Sequence, residues 1–165
     1  MTKDMISAAR AYLGQREVPG PASNPWIKNL WLSLKSGAWW WRTYGDDSRL
    51  AWCGAFMARV CADCGLDYPV QYQRASSWQG WGVPVSGPRM GAVAVISRPG
   101  GGHVGLVTGM TADARYVRIL AGNQGDAVGE DFFPKSRVIA WRAPVGATLP
   151  AVVLAQLGQI STSEA

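Results

Sequence analysis

The chain has three cysteines, Cys53, Cys61 and Cys64, and a single histidine, His103, so thiol chemistry that needs an imidazole base has one partner to draw on. Cys53 stands between Trp52 and Gly54-Ala55-Phe56, at the start of a stretch whose apolar spacing (Trp52, Phe56, Val60) predicts a helix running to Cys64. A cysteine in a helix's first turn meets unpaired backbone amides and the positive end of the helix dipole, and both favour a thiolate. The expectation is a nucleophile with a lowered pKa. An isolated helical cysteine is more often a buried apolar side chain, so the rest of the pattern has to decide. His103 opens an alternating run with Gly105, Val107 and Gly109, on one strand face and beside a position where a missing side chain lets another element approach.

If strands 103–109 and 116–122 pair as an antiparallel hairpin across the turn near Ala112 and Asp113, His103 falls opposite Gly122 or Asn123. Asn123 could then bond one ring nitrogen and hold the other toward the thiol, as the third member of a triad does. Asn123 also sits in Gly122-Asn123-Gln124-Gly125-Asp126, where Asn beside Gly is a common turn residue, and both readings stay open. The Cys53 amide is a natural oxyanion donor, worth about 3 kcal/mol when well aimed. Asp47, Trp52 and Gln124 are the further candidates for substrate or oxyanion contacts, although Asp46 or Asp47 can equally cap a helix or hold a loop. Cys61-Ala62-Asp63-Cys64 is a CxxC with no second cysteine or histidine pair to complete a tetrahedral site, so neither a metal nor another cofactor is expected.

These residues need elements to hold them. Residues 2 to 13 have helical apolar spacing with Gly14 as a stop, and Asn24 before Pro25 reads as an N-cap for a short helix to about Leu34. Asp46, Asp47 and Ser48 are capping candidates for the cysteine helix, with Gly65 ending it, and a further helical turn is expected over 75 to 81. From Gly91 the period changes. Gly91–Ser97, His103–Gly109, Tyr116–Gly122, Ala127–Phe133 and Val138–Arg142 read as five short strands, and their short links predict an antiparallel meander. Helices first and sheet second gives an α+β fold. The apolar run from Leu149 to Leu157 lies in a tail that either docks as a helix or stays mobile, which sets the expected domain at 1–143 and the tail at 144–165.

A chain of 165 residues, 48% hydrophobic and 16% charged, is a single packed domain and no disordered tail protein. Nine tryptophans exceed ordinary usage, and the cluster Trp39-Trp40-Trp41 is hard to bury whole, which suggests a partly exposed aromatic surface for sugar or peptide. The net charge of +5 favours an acidic partner. Its basic residues are scattered, however, without the runs of a nucleic-acid module, and nucleic acid is not expected. The N-terminus has a charge where a signal peptide would be apolar, and no window is long enough to span a membrane.

Taken together, Trp52-Cys53-Gly54-Ala55-Phe56, Gly102-His103-Val104-Gly105 and Ala121-Gly122-Asn123-Gln124-Gly125-Asp126 resemble the CHAP and NlpC-type cysteine peptidases. Glu17-Val18-Pro19-Gly20 with Asn24-Pro25, Ala75-Ser76-Ser77-Trp78, and 131 to 141 are similar to a CHAP-like subgroup frequent in phage and prophage genes, and the likeness covers roughly residues 5 to 143. The resemblance implies a papain-like fold without cofactor, hydrolysis of peptidoglycan amides, and Cys53, His103 and Asn123 as the triad. It implies an endolysin-like monomer that degrades the bacterial cell wall, delivered there by a holin or a virion if phage-encoded. The amide cut is expected within the stem peptide. The bond between muramic acid and the first alanine is the close alternative, and a non-catalytic wall-binding or virion module the distant one.

Overall fold

The computed structural model describes residues 4–162. Four helices come first or early: α1 (Met5–Arg10), α2 (Pro25–Leu32), α3 (Gly37–Tyr44) and α4 (Cys53–Asp63). Six strands complete the chain: β1 (Val83–Pro84), β2 (Val93–Arg98), β3 (Gly101–Met110), β4 (Tyr116–Gln124), β5 (Ala127–Pro134) and β6 (Val138–Ala143). This is the expected α+β arrangement, and single-turn helices at 47–49, 75–80 and 135–137 link its parts. Asp4 caps α1 by accepting from the Ser7 amide, and Asn24 caps α2 through the Trp26 amide with Pro25 in the first turn.

Two helices differ from expectation. α4 begins at Cys53 itself, because Asp46 spends its carboxylate capping the separate turn at 47–49 and the backbone is extended at Leu50. α3 is additional, bracketed by left-handed residues at Ser36 and Gly45. It buries only Gly37, where an added Cβ would lie 1.6 Å from the Trp31 carbonyl oxygen, so the helix presses its backbone against α2. A run of tryptophans has no apolar period, which is why spacing did not announce it. Trp39 is 58% exposed and Trp40 stacks on Tyr44 at an interplanar angle of 12°.

All strand pairs are antiparallel, in the order β1-β6-β2-β3-β4-β5. β2 to β5 form the expected meander, but β6 does not continue it: it returns across the sheet to pair with β2, and β1 adds a sixth strand outside it. The far edge of β5 is already occupied, since Arg16 bridges Ala127 and Ile160 bridges Phe132. The helices cover one face of the sheet over a core that includes Trp31, Trp52, Phe56, Val104 and Leu120. The opposite face carries Ala94, Ile96, Val107, Ile119 and Phe133 and would stand in water without a cover.

The tail supplies part of that cover. Residues 144–162 form neither the expected helix nor a free end but run extended, with bridges from Ala151 to Arg89, Leu154 to Met110 and Ile160 to Phe132. Pro144 and Pro150 oppose a helix, and Leu149 and Val152 drop onto the second apolar face. Removing residues 144–165 is expected to cost at least about 2–4 kcal/mol from those two side chains alone, lowering Tm by about 5 °C or more. A thermal melt of the 1–143 chain checks this, and an unchanged Tm would contradict the covering role.

Candidate active site

The site is built where the sheet opens. The β3–β4 ladder ends at the pair Leu106–Leu120, and counting on would bring position 123 opposite 103. Instead β4 kinks: Asn123 is left-handed (φ 55°), and the β4–β5 register breaks between Ala121 and Gln124. The start of α4 reaches this opening. A Cβ on Gly122 would stand 2.6 Å from Phe56 Cβ and 2.7 Å from Trp52 Cζ3, so helix and strand approach here only because position 122 has no side chain. Gly54 does the same on the other side, lying against the backbone of Tyr72 and Gln73.

A polar lock holds the segment that leads into α4. The indole Nε1–H of Trp52 donates to Glu17 Oε1 at 2.7 Å, and Asp47 Oδ2 accepts from the backbone amides of Asn24 (2.6 Å) and Val18 (3.2 Å). Asp47 is fully buried, and its own amide donates to Ser23 Oγ at 3.2 Å. Both residues were candidates for substrate contact, but neither lines the cleft beside Cys53: Trp52 is core, and Asp47 holds the loop at 18–24. The loop residues Glu17 and Val18 thereby acquire a physical role in seating the cysteine helix.

Cys53 is the first residue of α4 and lines a cleft of about 410 Å³. One wall is formed by Gln73, Arg74, Ser76 and Gln79, the other by Ser97, Arg98, Gly101 and Gly102. Burial pushes the thiol pKa up, against the backbone N–H of Val104, the positive charge of Arg98 and the amides of Gly54 and Cys53, which pull it down. The net shift is upward, contrary to the expected lowering, because the sulfur is too deeply buried for the helix-end amides to prevail. The Val104 backbone acts on the sulfur, which places it about one residue along β3 from His103.

His103 is fully buried on β3, directly after Gly102 of the cleft wall, its ring stacked on Phe133 at 5.5 Å. Nε2 lies 3.0 Å from Gln124 Oε1. The amide of Gln124 has a definite orientation, since its Nε2 donates to the carbonyl oxygens of Ile119 (3.0 Å) and Gly129 (3.1 Å). Oε1 can only accept, so the proton of the neutral imidazole belongs on Nε2 and Nδ1 is the basic nitrogen. Asn123 was the residue expected in this place. Simple register points to it, but the left-handed backbone at 123 and the register break bring Gln124 to the ring, and Asn123 Nδ2 is buried with no hydrogen-bond partner among the described residues.

Cys61 and Cys64 lie at the buried end of α4, away from the cleft. The cleft residues Arg74, Arg98 and Gln79 had no signal in the sequence, being single polar residues outside any motif; only Ala75-Ser76-Ser77-Trp78 marked that wall.

A helix whose first residue is a cysteine, set against an antiparallel sheet that carries the histidine, defines an α+β fold of papain-like type. Residues 43–123 match the family model of the CHAP domain, a cysteine peptidase/amidase domain that implies hydrolase/amidase-type function on peptidoglycan. No curated protein and no solved structure matches the chain. The match ends at Asn123, so Gln124 and the tail lie beyond it.

The close packing behind Cys53 is testable. A Cβ on Gly54 would sit 1.9 Å from the Tyr72 carbonyl oxygen, a backbone atom that cannot swing aside. Gly54→Ala is therefore expected to destabilise the fold by about 2–3 kcal/mol through overpacking, measured by denaturant unfolding. Wild-type stability would mean that helix and loop do not meet as described.

Proposed function

We propose that the cleft hydrolyses an amide within the stem peptide of peptidoglycan, with Cys53 as nucleophile, His103 as acid and base, and Gln124 as the residue that orients the imidazole. The observation that carries this reading is the Gln124 amide, oriented by two backbone carbonyls and bonded to His103 Nε2, on the strand next to a cysteine at a helix start.

In the proposed reaction, Nδ1 of His103 takes the Sγ proton as sulfur attacks the scissile carbonyl. The tetrahedral oxyanion forms near the α4 N-terminus, where the Cys53 amide is one donor. The imidazolium, its Nε2–H still donating to Gln124, then protonates the leaving amine. A water, deprotonated by the same Nδ1, resolves the thioester to a carboxylate and returns the thiol. A buried thiol with a raised pKa suits this route: it stays protonated at rest and is deprotonated only as the substrate is attacked. The subgroup likeness of the sequence supports an endolysin-like setting for the activity.

The test is kinetic, on purified sacculi and on soluble stem peptides. Cys53→Ala is expected to abolish turnover while leaving the fold intact, and retained turnover would end the cysteine-peptidase reading. Gln124→Ala is expected to lower kcat about tenfold or more with a smaller change in KM, the signature of a mispositioned general base. Gln124→Glu keeps an acceptor for Nε2–H and should recover part of the loss. Asn123→Ala is expected to cost less than Gln124→Ala; the reverse order would return the orienting role to Asn123. Because the chain carries +5 and the wall is polyanionic, activity on sacculi should also fall as salt shortens the Debye length from about 10 Å toward 3 Å.

A further inference from the structure

We propose that the cleft contains a carboxylate subsite centred on Arg98, with Arg74 facing it, which selects stem peptides bearing a free carboxyl group close to the scissile amide. The inference rests on the reading of the cleft as a peptidase site and adds to it the chemistry of the substrate it prefers.

The lining is one-sided in charge. Apart from Cys53, the ionisable side chains around the cleft are Arg74 on the helical wall and Arg98 on the sheet wall, and among the described residues no Asp or Glu lines it. The rest is small, apolar or neutral: Gln73, Ser76, Gln79, Ser97 and two glycines at the start of β3. Such a surface repels an ammonium group and attracts a carboxylate.

Position singles out Arg98. It ends β2, paired with Gly101, and its guanidinium lies over that glycine, whose missing Cβ would be 3.7 Å from Nε and 3.9 Å from Nη2. The side chain is half-buried and therefore restricted, whereas Arg74 is exposed. Its charge is near enough to the Cys53 sulfur to act on it. A carboxylate paired with Arg98 would consequently lie within about a residue of the carbonyl under attack. Arginine suits that task, because its planar donors hold a carboxylate in two parallel hydrogen bonds and so orient the peptide as well as attract it.

The experiment uses the full chain and matched muropeptides whose stem carboxyl groups are free or are converted one at a time to carboxamides, with kcat and KM measured for each. Wild type is expected to lose at least about tenfold in kcat/KM, chiefly through KM, when one particular carboxyl is amidated, as fits a hydrogen bond to a charged group. Arg98→Gln should flatten that discrimination to within about threefold, and Arg98→Lys should retain part of it. Circular dichroism and Tm of both variants separate this from misfolding, which would not alter a ratio between substrates. Equal cleavage of all the peptides by wild type, or full discrimination in a folded Arg98→Gln, would overturn the subsite while leaving the peptidase reading standing. No cleavage of any of them by wild type, on sacculi as well as peptides, would overturn both.

Discussion

The structure turns on the insertion of one helix start into the opening of a sheet. β3 and β4 cease to pair after Leu106 and Leu120, and beyond that point the backbone of Val104 faces the start of α4, close enough to act on the Cys53 sulfur. Two glycines make the approach possible, Gly122 under Trp52 and Phe56 and Gly54 against Tyr72. A side chain at either place would push the helix off by more than the length of a hydrogen bond can absorb. The other arrangements serve this one. The bonds from Glu17 to Trp52 and from Asp47 to the amides of Val18 and Asn24 fix how the chain enters α4, and the extended tail covers the far side of the sheet that bears the histidine.

Placing a thiol this deep has an electrostatic cost. Helix-end amides and a nearby guanidinium favour a thiolate, but burial outweighs them and the thiol's pKa rises. In the proposed reaction the resting thiol is activated by a base whose tautomer has been set in advance. Gln124 sets it with no charge of its own: one carbonyl of β4 and one of β5 orient its amide, and the amide orients the ring. Phe133 holds the ring from its face. A neutral orienter in a buried place avoids the desolvation that a carboxylate there would have to overcome.

Much of this was legible in the residues. The helices at α1, α2 and α4 follow from apolar spacing, α2 also from Asn24 and Pro25 at its start, and the strand positions follow from alternation between turn residues. Cys53 and His103 stood out as the only thiol at a predicted helix start and the only imidazole. What stayed hidden was set by non-local contacts. The return of β6 to β2 depends on an edge of β5 already occupied by distant residues. The exchange of Asn123 for Gln124 depends on one left-handed residue that shifts a register by one, and alternation cannot foresee this. The tail's apolar run was read as a docked helix or a mobile end, although Pro144 and Pro150 argued for extended, packed chain. The arginines of the cleft are single residues far apart in sequence, one before a short helix and one at the end of β2, and only the folded walls bring them together.

The central claim is that this domain breaks peptide-stem amides through Cys53, and the chemistry of the products tests it most directly. Purified sacculi would be digested with the wild-type chain, new amino groups and new reducing sugars counted in parallel, and the soluble fragments identified by mass spectrometry. The account predicts a rise in amino groups with no rise in reducing ends, from a fragment newly begun at a stem-peptide residue. New reducing ends without new amines would mean a cut glycan, and would contradict the account.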